Sequence, residues 1–228
     1  MERTRARHAA WFRLCAYASG LACAWPSQAA EVRVSVRGDA AALSDAVVSL
    51  HPELPMTLPP ATAEIDQVDA TFVPAVLPVT AGTRVSFPNS DDTLHQVYSF
   101  SPTKRFELPL YSGRTAAPVT FETPGVVSIG CNIHDWMLAH IVVLDTPYFA
   151  RTDARGQARI EAPAGRYRLE VWHARGQPQP ASQMLDIADA APIERTIDMV
   201  LAPPPPPRAG NERLRALQEK FRSLGRGG

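Results

Sequence analysis

Cysteine is the scarcest resource in this chain. Only three occur in 228 residues, and two of them, Cys15 and Cys23, lie in the first 23 positions. No disulfide framework can be built from what remains, so the fold must stand on its own apolar core. Charge of either sign is also missing in the sum: 23 Lys+Arg balance 23 Asp+Glu. That balance hides three regions. The start and the stretch from Arg208 onward are basic, which leaves an acidic body, and an acidic body argues against nucleic acid as a partner. Internal repeats are not evident. Apolar runs long enough to cross a bilayer as a helix are lacking as well; the longest near the start, Leu14 to Trp25, is too short.

That short run has its own grammar. Arg3, Arg5, Arg7 and Arg13 precede it, and Ser27-Gln28-Ala29 follows as a small-x-small cleavage site. Residues 1–29 therefore read as a secretory signal peptide, and the mature protein is expected to be periplasmic or secreted, with no membrane span. Cleavage would leave Cys131 as the one thiol in an oxidising compartment. Such a thiol needs burial or a metal.

What is abundant is proline, 22 residues, with many short apolar runs broken by Pro, Gly and Asp. That is the grammar of an all-β chain with many turns. Val32, Val34 and Val36 alternate with polar neighbours, Gly38-Asp39 marks a turn, and Ala46 to Leu50 supplies a second strand. The Pro-rich stretch 51–60 reads as a connection, with His51 in an exposed loop. Strand patterns resume at Ala70 and continue through Thr83 to Phe87, His95 to Phe100, Lys104 to Tyr111, Ala117 to Phe121, Val126 to Cys131 and Leu138 to Leu144. Beyond Asp145-Thr146-Pro147, hairpin patterns carry the chain to Leu201. Pro203 to Pro207 is a polyproline spacer. Asn211 is placed to cap a short helix with Leu214, Leu217, Phe221 and Leu224 on one face and basic residues on the other. The tail 203–228 is expected either to contact a partner or an anionic surface, or to be frayed.

One stretch carries chemistry. Gly130-Cys131-Asn132-Ile133-His134-Asp135-Trp136-Met137 sets a thiol, an imidazole and a thioether at Cys-x-x-His-x-x-Met spacing, on a tight loop after a strand. His95, 36 residues upstream, opens another strand. Two histidines, a cysteine and a weakly held axial methionine are the ligand set of a blue-copper electron-transfer site. Copper(I) favours soft donors and copper(II) favours nitrogen, so a pocket between the two lets the electron move with little rearrangement. The bland alternatives stay open residue by residue. Cys131 alone reads as a buried thiol, His134 as a surface histidine and Met137 as core. His140 reads as a satisfied core histidine, and Asp135 either accepts from a ligand imidazole or faces solvent.

At these residues the chain resembles the cupredoxins, plastocyanin and amicyanin in particular. Val85-Ser86-Phe87-Pro88-Asn89 with His95 six residues on, and Phe121, Pro124-Gly125, Val127 and Cys131-x-x-His134-x-x-Met137, carry the likeness. The wider pattern, including Phe106-Glu107-Leu108 and Asp145-Thr146-Pro147-Tyr148-Phe149-Ala150, is similar to a periplasmic group labelled methylamine-utilisation proteins. The resemblance implies a Greek-key cupredoxin sandwich holding one type 1 copper through His95, Cys131, His134 and Met137. It departs at Gln96, where the family commonly has an asparagine that ties the two ligand loops; Asn89 or Ser90 is the candidate replacement.

The expected organisation is a copper domain at 66–146 inserted into a second small, Ig- or transthyretin-like β-sandwich made of 30–60 and 147–202. The expected function is single-electron transfer between redox partner proteins, without catalysis, docking through Trp136 and Leu138. The alternatives are a periplasmic copper carrier or store, and a binding module with a vestigial metal site. A Cys-His nucleophile is disfavoured because nothing in the sequence supplies a third orienting group or an oxyanion hole. Zinc is disfavoured because the methionine gives it no reason to bind.

Overall fold

The computed structural model describes residues 29–113, 117–177, 180–188 and 191–204; the expected signal peptide, but for its last residue, and the expected tail helix lie outside the described residues. Every regular element among the described residues is a strand. The chain opens with β1 (Ala30–Gly38), β2 (Ala41–Ala42) and β3 (Val47–Pro52). Next come β4 (Thr62–Glu64), β5 (Asp66–Val68), β6 (Thr71–Val73), β7 (Val76–Thr80) and β8 (Thr83–Ser86). They are followed by β9 (His95–Ser99), β10 (Phe106–Tyr111), β11 (Val119–Phe121), β12 (Gly125–Gly130) and β13 (Leu138–Leu144). The last six are β14 (Phe149–Arg151), β15 (Gln157–Ala162), β16 (Gly165–Trp172), β17 (Gly176–Gln177), β18 (Ala181–Ile187) and β19 (Ile193–Leu201).

These strands form two packed sandwiches. In the first, the sheet ordered β15-β1-β19-β17 faces the sheet ordered β14-β3-β16-β18. The alternation in β1 decides which face is inside. Val32, Val34 and Val36 are buried, while Arg33 and Arg37 reach solvent. They meet Val48 and Leu50 of β3, Ile160 of β15, and Leu169 and Val171 of β16 in one apolar core. Each such side chain contributes roughly 1.5–3 kcal/mol by leaving water.

The second sandwich sets the sheet β10-β9-β12-β13-β7 against β11-β8-β4, with the β5–β6 hairpin at its side. Its core includes Val85, Phe87, Val97, Phe121, Val127, Ile129 and Ile141, and it runs directly into Cys131 and Met137. β13 is unusual in being buried on both faces. Ile141 and Val143 point into this core, whereas Val142 and Leu144 join Val47, Val76, Phe149 and Trp172 in a third cluster between the sandwiches. A strand covered on both sides reads as continuous apolar sequence rather than as alternation, which is why Leu138 to Leu144 shows no polar face apart from His140.

Two expectations need correction. His51 does not lie in an exposed loop: it belongs to β3, its side chain is only 11% exposed, and it pairs in register with Arg168. Pro52 misled because proline usually interrupts a sheet, but here it stands at the last residue of the strand, where its missing N–H is tolerated. The stretch before Ala70 is also more structured than its composition suggests. β4 runs parallel to β8, with Ala63 opposite Val85, and between β4 and β5 Ile65 is fully buried.

Three histidines outside the ligand loop have depressed basicity. Burial is the leading cause that pushes His51, His140 and His173 below the ordinary histidine value of 6.5; at His51 the Asp145 carboxylate opposes it only in part. The unfolded chain then takes up protons near pH 6.5 that the folded chain refuses. Stability is full above that pH and falls as the pH drops below it toward the depressed folded values. Urea midpoints measured at pH 7.5 and 5.5 should therefore differ, with the lower stability at 5.5. The gap should narrow in His140→Gln, which removes one of these titrating groups.

Candidate metal centre

The thiol, the two imidazoles and the thioether are brought to one end of the second sandwich by three strands. β9 begins at His95, whose side chain points inward with Val97 and Ser99 in the buried-exposed alternation of the strand. β12 ends at Gly130 and β13 starts at Leu138, so Cys131 to Met137 form the connection between them. That connection closes on itself with the Met137 N–H donating to the His134 carbonyl at 2.9 Å. Gly130 sits close to β9: a Cβ there would come within 3.2 Å of the Tyr98 ring, which would have to give by a few tenths of an ångström. Gly130, the residue before the cysteine, pairs with Tyr98 of β9.

The result is a tight cluster. One ligand atom each from His95, Cys131 and His134 lies within 4.8 Å of the other two. His95 Nδ1 and His134 Nδ1 face each other at 3.0 Å, and Cys131 Sγ is 3.8 Å from His134 Nδ1. The rings meet edge to face, with centroids 4.7 Å apart. His95 is wholly buried and Cys131, a free thiol, is 2% exposed, while His134 is partly open to solvent. Met137 is also buried, in the same apolar cluster as Cys131. Two imidazole nitrogens and one soft sulfur converging in a dry pocket are a donor set suited to copper, and the residues present fit that ion.

The surroundings depart from what the sequence leads one to expect. Gln96 does not tie the ligand loops with its side chain, which bonds Glu107 at 2.6 Å; its main-chain N–H instead points at Cys131 Sγ, 3.5 Å away. Asn89 ties its own loop to the end of β10, not to the Cys131–Met137 loop. Its Nδ2 donates to the carbonyls of Thr93 and Tyr111, each at 2.8 Å, and its Oδ1 accepts from the Asp91 N–H. Ser90 turns away to Asp66. Asp135 lies exposed on the loop, and the carboxylate that meets an imidazole is that of Asp91, 2.7 Å from His95 Nε2. Sequence reasoning missed Asp91 because it sits in a polar run, Pro88 to Thr93, where aspartate ordinarily means a turn.

Trp136 and Leu138 are both about half exposed, as is Ile133, so the rim beside His134 is apolar and open. The Trp136 ring lies 5.0 Å from the His134 ring, and its Nε1–H donates to the Ala70 carbonyl at 3.0 Å. His140 sits away from the metal cluster. Its Nδ1 is 3.0 Å from Ser128 Oγ, and its ring packs edge-on to Trp172.

A second polar cluster lines a cleft of about 280 Å³ between the sandwiches. Ser49 Oγ is 2.9 Å from His51 Nε2, and His51 Nδ1 is 2.6 Å from Asp145. The order matches a nucleophile, a base and an orienting acid. The Glu170 carboxylate, however, stands 3.3 Å from the same Nε2, and β3 is paired on both sides, by β14 and β16. Its main-chain N–H groups are thus committed to the sheet rather than to an oxyanion. The cluster fastens the end of β13 to β3.

No family model matches the chain, and no curated protein matches it. Solved structures similar to part of it include the purple cupredoxin from Nitrosopumilus maritimus, 23% identical, covering 36% of this chain and 99% of that one at a TM-score of 0.32. A Cu-containing nitrite reductase from Thermus scotoductus SA-01 is 25% identical over 40% of this chain, TM-score 0.34, but only 25% of the reductase is matched. An amicyanin mutant in its Cu(I) form is 19% identical over 42% of this chain and 98% of its own, TM-score 0.34. Among the described residues no helix is long and apolar enough to cross a membrane.

Proposed function

We propose that this protein is a type 1 copper protein that passes single electrons between partner proteins, with His95, Cys131, His134 and Met137 as the ligands of one ion. The observation that carries the reading is the convergence of two imidazole nitrogens and a buried free thiol within 4.8 Å. Copper, when bound, supplies a one-electron couple between Cu(I) and Cu(II). The chain's own residues do the rest. Cys131 offers a soft sulfur as thiolate, and the N–H of Gln96 is aimed at it. His95 closes the pocket from the core side, and its full burial keeps water from that flank. His134 reaches the surface between Ile133 and Trp136, so its ring edge is the shortest way out for an electron. Trp136 and Leu138 give the small apolar rim that a transient redox encounter uses.

A catalytic role for the thiol has less support. Cys131 is shut in by His95 and His134, leaving an acyl or disulfide substrate no approach to the sulfur.

In the same reading, the copper domain expected at 66–146 also takes in β4 and Ile65 and so begins at Thr62, residues 30–60 and 147–202 form an accessory sandwich around it, and the protein acts in the periplasm after loss of residues 1–29. The methylamine-utilisation grouping rests on the sequence motifs alone.

The test is to load the protein with Cu(II) and record its absorption and its redox titration. An intense visible band from thiolate-to-copper charge transfer, with a reversible one-electron couple, supports electron transfer. Rapid surrender of Cu(I) to a chelator would move the assignment to copper carriage. A protein with no copper affinity overturns the proposal.

A further inference from the structure

The loop that lacks an asparagine beside its first histidine has another tie in place. Asp91 Oδ2 is 2.7 Å from His95 Nε2. A carboxylate at that distance accepts, so Nε2 carries the hydrogen and the lone pair of the neutral ring lies on Nδ1. Nδ1 is the atom turned toward His134 and Cys131. Thr93 Oγ1, at 3.4 Å from Nε2, is the more distant contact and adds little.

The same carboxylate has a second duty. Asp91 accepts the N–H of Asp69 at 2.6 Å through Oδ1 and the N–H of Ala70 at 2.8 Å through Oδ2. These two residues form the turn of the β5–β6 hairpin, and both hold left-handed backbone, with φ of 51° and 49°. Alanine rarely adopts that conformation, and it persists where neighbours over-determine it. Here the neighbours are the carboxylate on the N–H side and Trp136 on the other, whose Nε1–H donates to the Ala70 carbonyl. A continuous line of bonds therefore runs from His95 through Asp91 and the Asp69–Ala70 turn to Trp136, on the loop that carries Cys131, His134 and Met137.

We infer that Asp91 is the positioning residue of the centre: it sets the tautomer of His95 so that Nδ1 faces the metal, and it locks the two ligand-bearing segments together through the Asp69–Ala70 turn. This rests on the copper reading, which it deepens by naming what holds the site in shape before any ion arrives. Outer carboxylates of this kind typically change metal affinity by about 10- to 100-fold when removed.

The experiment compares the full-length protein with Asp91→Asn and Trp136→Phe. Asparagine keeps the size but offers an N–H as readily as an oxygen. In metal-free protein, ¹⁵N NMR of the histidine rings should show His95 as one Nε2–H tautomer in wild type and as a mixed or reversed population in Asp91→Asn. Cu(II) affinity should fall by about 10- to 100-fold in that variant. Its reduction potential should rise, because losing the carboxylate weakens the oxidised state more than the reduced one. Trp136→Phe, which cuts only the far end of the line, should leave the tautomer unchanged and broaden the charge-transfer band. A melting curve sorts folding loss from a local effect; if Asp91→Asn does not fold, Asp91→Glu takes its place, with restored acceptance expected to keep the wild-type tautomer. Unchanged tautomer, affinity and potential in a folded, copper-binding Asp91→Asn protein overturn the inference. A wild type that shows the Nε2–H tautomer but takes up no copper sinks the copper reading and leaves the tautomer assignment standing.

Discussion

Cys131→Ser should abolish the visible absorption of the copper-loaded protein completely while leaving its fold intact. The band requires a thiolate as the electron donor, and an alcohol oxygen is too hard and too weakly acidic to replace it. Copper binding should weaken as well, since two imidazoles remain but the soft anchor is gone. The fold should survive because the change is nearly isosteric and the serine oxygen can still accept from the Gln96 N–H that now points at the sulfur. The measurement is a spectral titration with Cu(II), with circular dichroism as the control for structure. Colour persisting in the serine variant would show that the ligand set is wrong.

A second large effect belongs to the other sandwich. Leu169 is completely buried among the valines and isoleucines of the first core. Truncation to alanine leaves a cavity that β16, held between β3 and β18, has little freedom to fill. A loss of about 2–5 kcal/mol is expected, read as a lowered urea midpoint. Below that transition the copper spectrum should match wild type, because His95, Cys131, His134 and Met137 all lie in the second sandwich. A spectrum altered in the folded Leu169→Ala protein would mean that the accessory strands shape the centre directly.

How much of this could be read from the sequence depends on how local the information is. The loop was legible because Cys131, His134 and Met137 stand within seven residues of one another and the strands on either side carry clear apolar patterns. His95 was legible because it opens a strand whose alternation puts it on the same face as Val97. Asp91 was not, because its partners are the imidazole of residue 95 and main-chain N–H groups some twenty residues upstream, which no periodicity announces. His51 was misplaced for a related reason: its surroundings come from Asp145 and Glu170, and the adjacent proline suggested the end of order rather than the last residue of a strand. β4 and β5 are only three residues each, too short for a period to establish itself. What they contribute, a parallel partner for β8 and an anchor for the Asp69–Ala70 turn, exists only once the chain has folded.

The double burial of β13 has a consequence for how this protein can change over generations. Its first residue, the half-exposed Leu138, follows directly on the ligand loop, but along residues 141–144 the odd-numbered side chains answer to one interior and the even-numbered ones to another. A mutation that enlarges or shrinks a residue there has no solvent side on which to be absorbed. A change in the core of either sandwich is therefore felt by the other through this one shared strand, which makes the two a coupled pair rather than interchangeable modules.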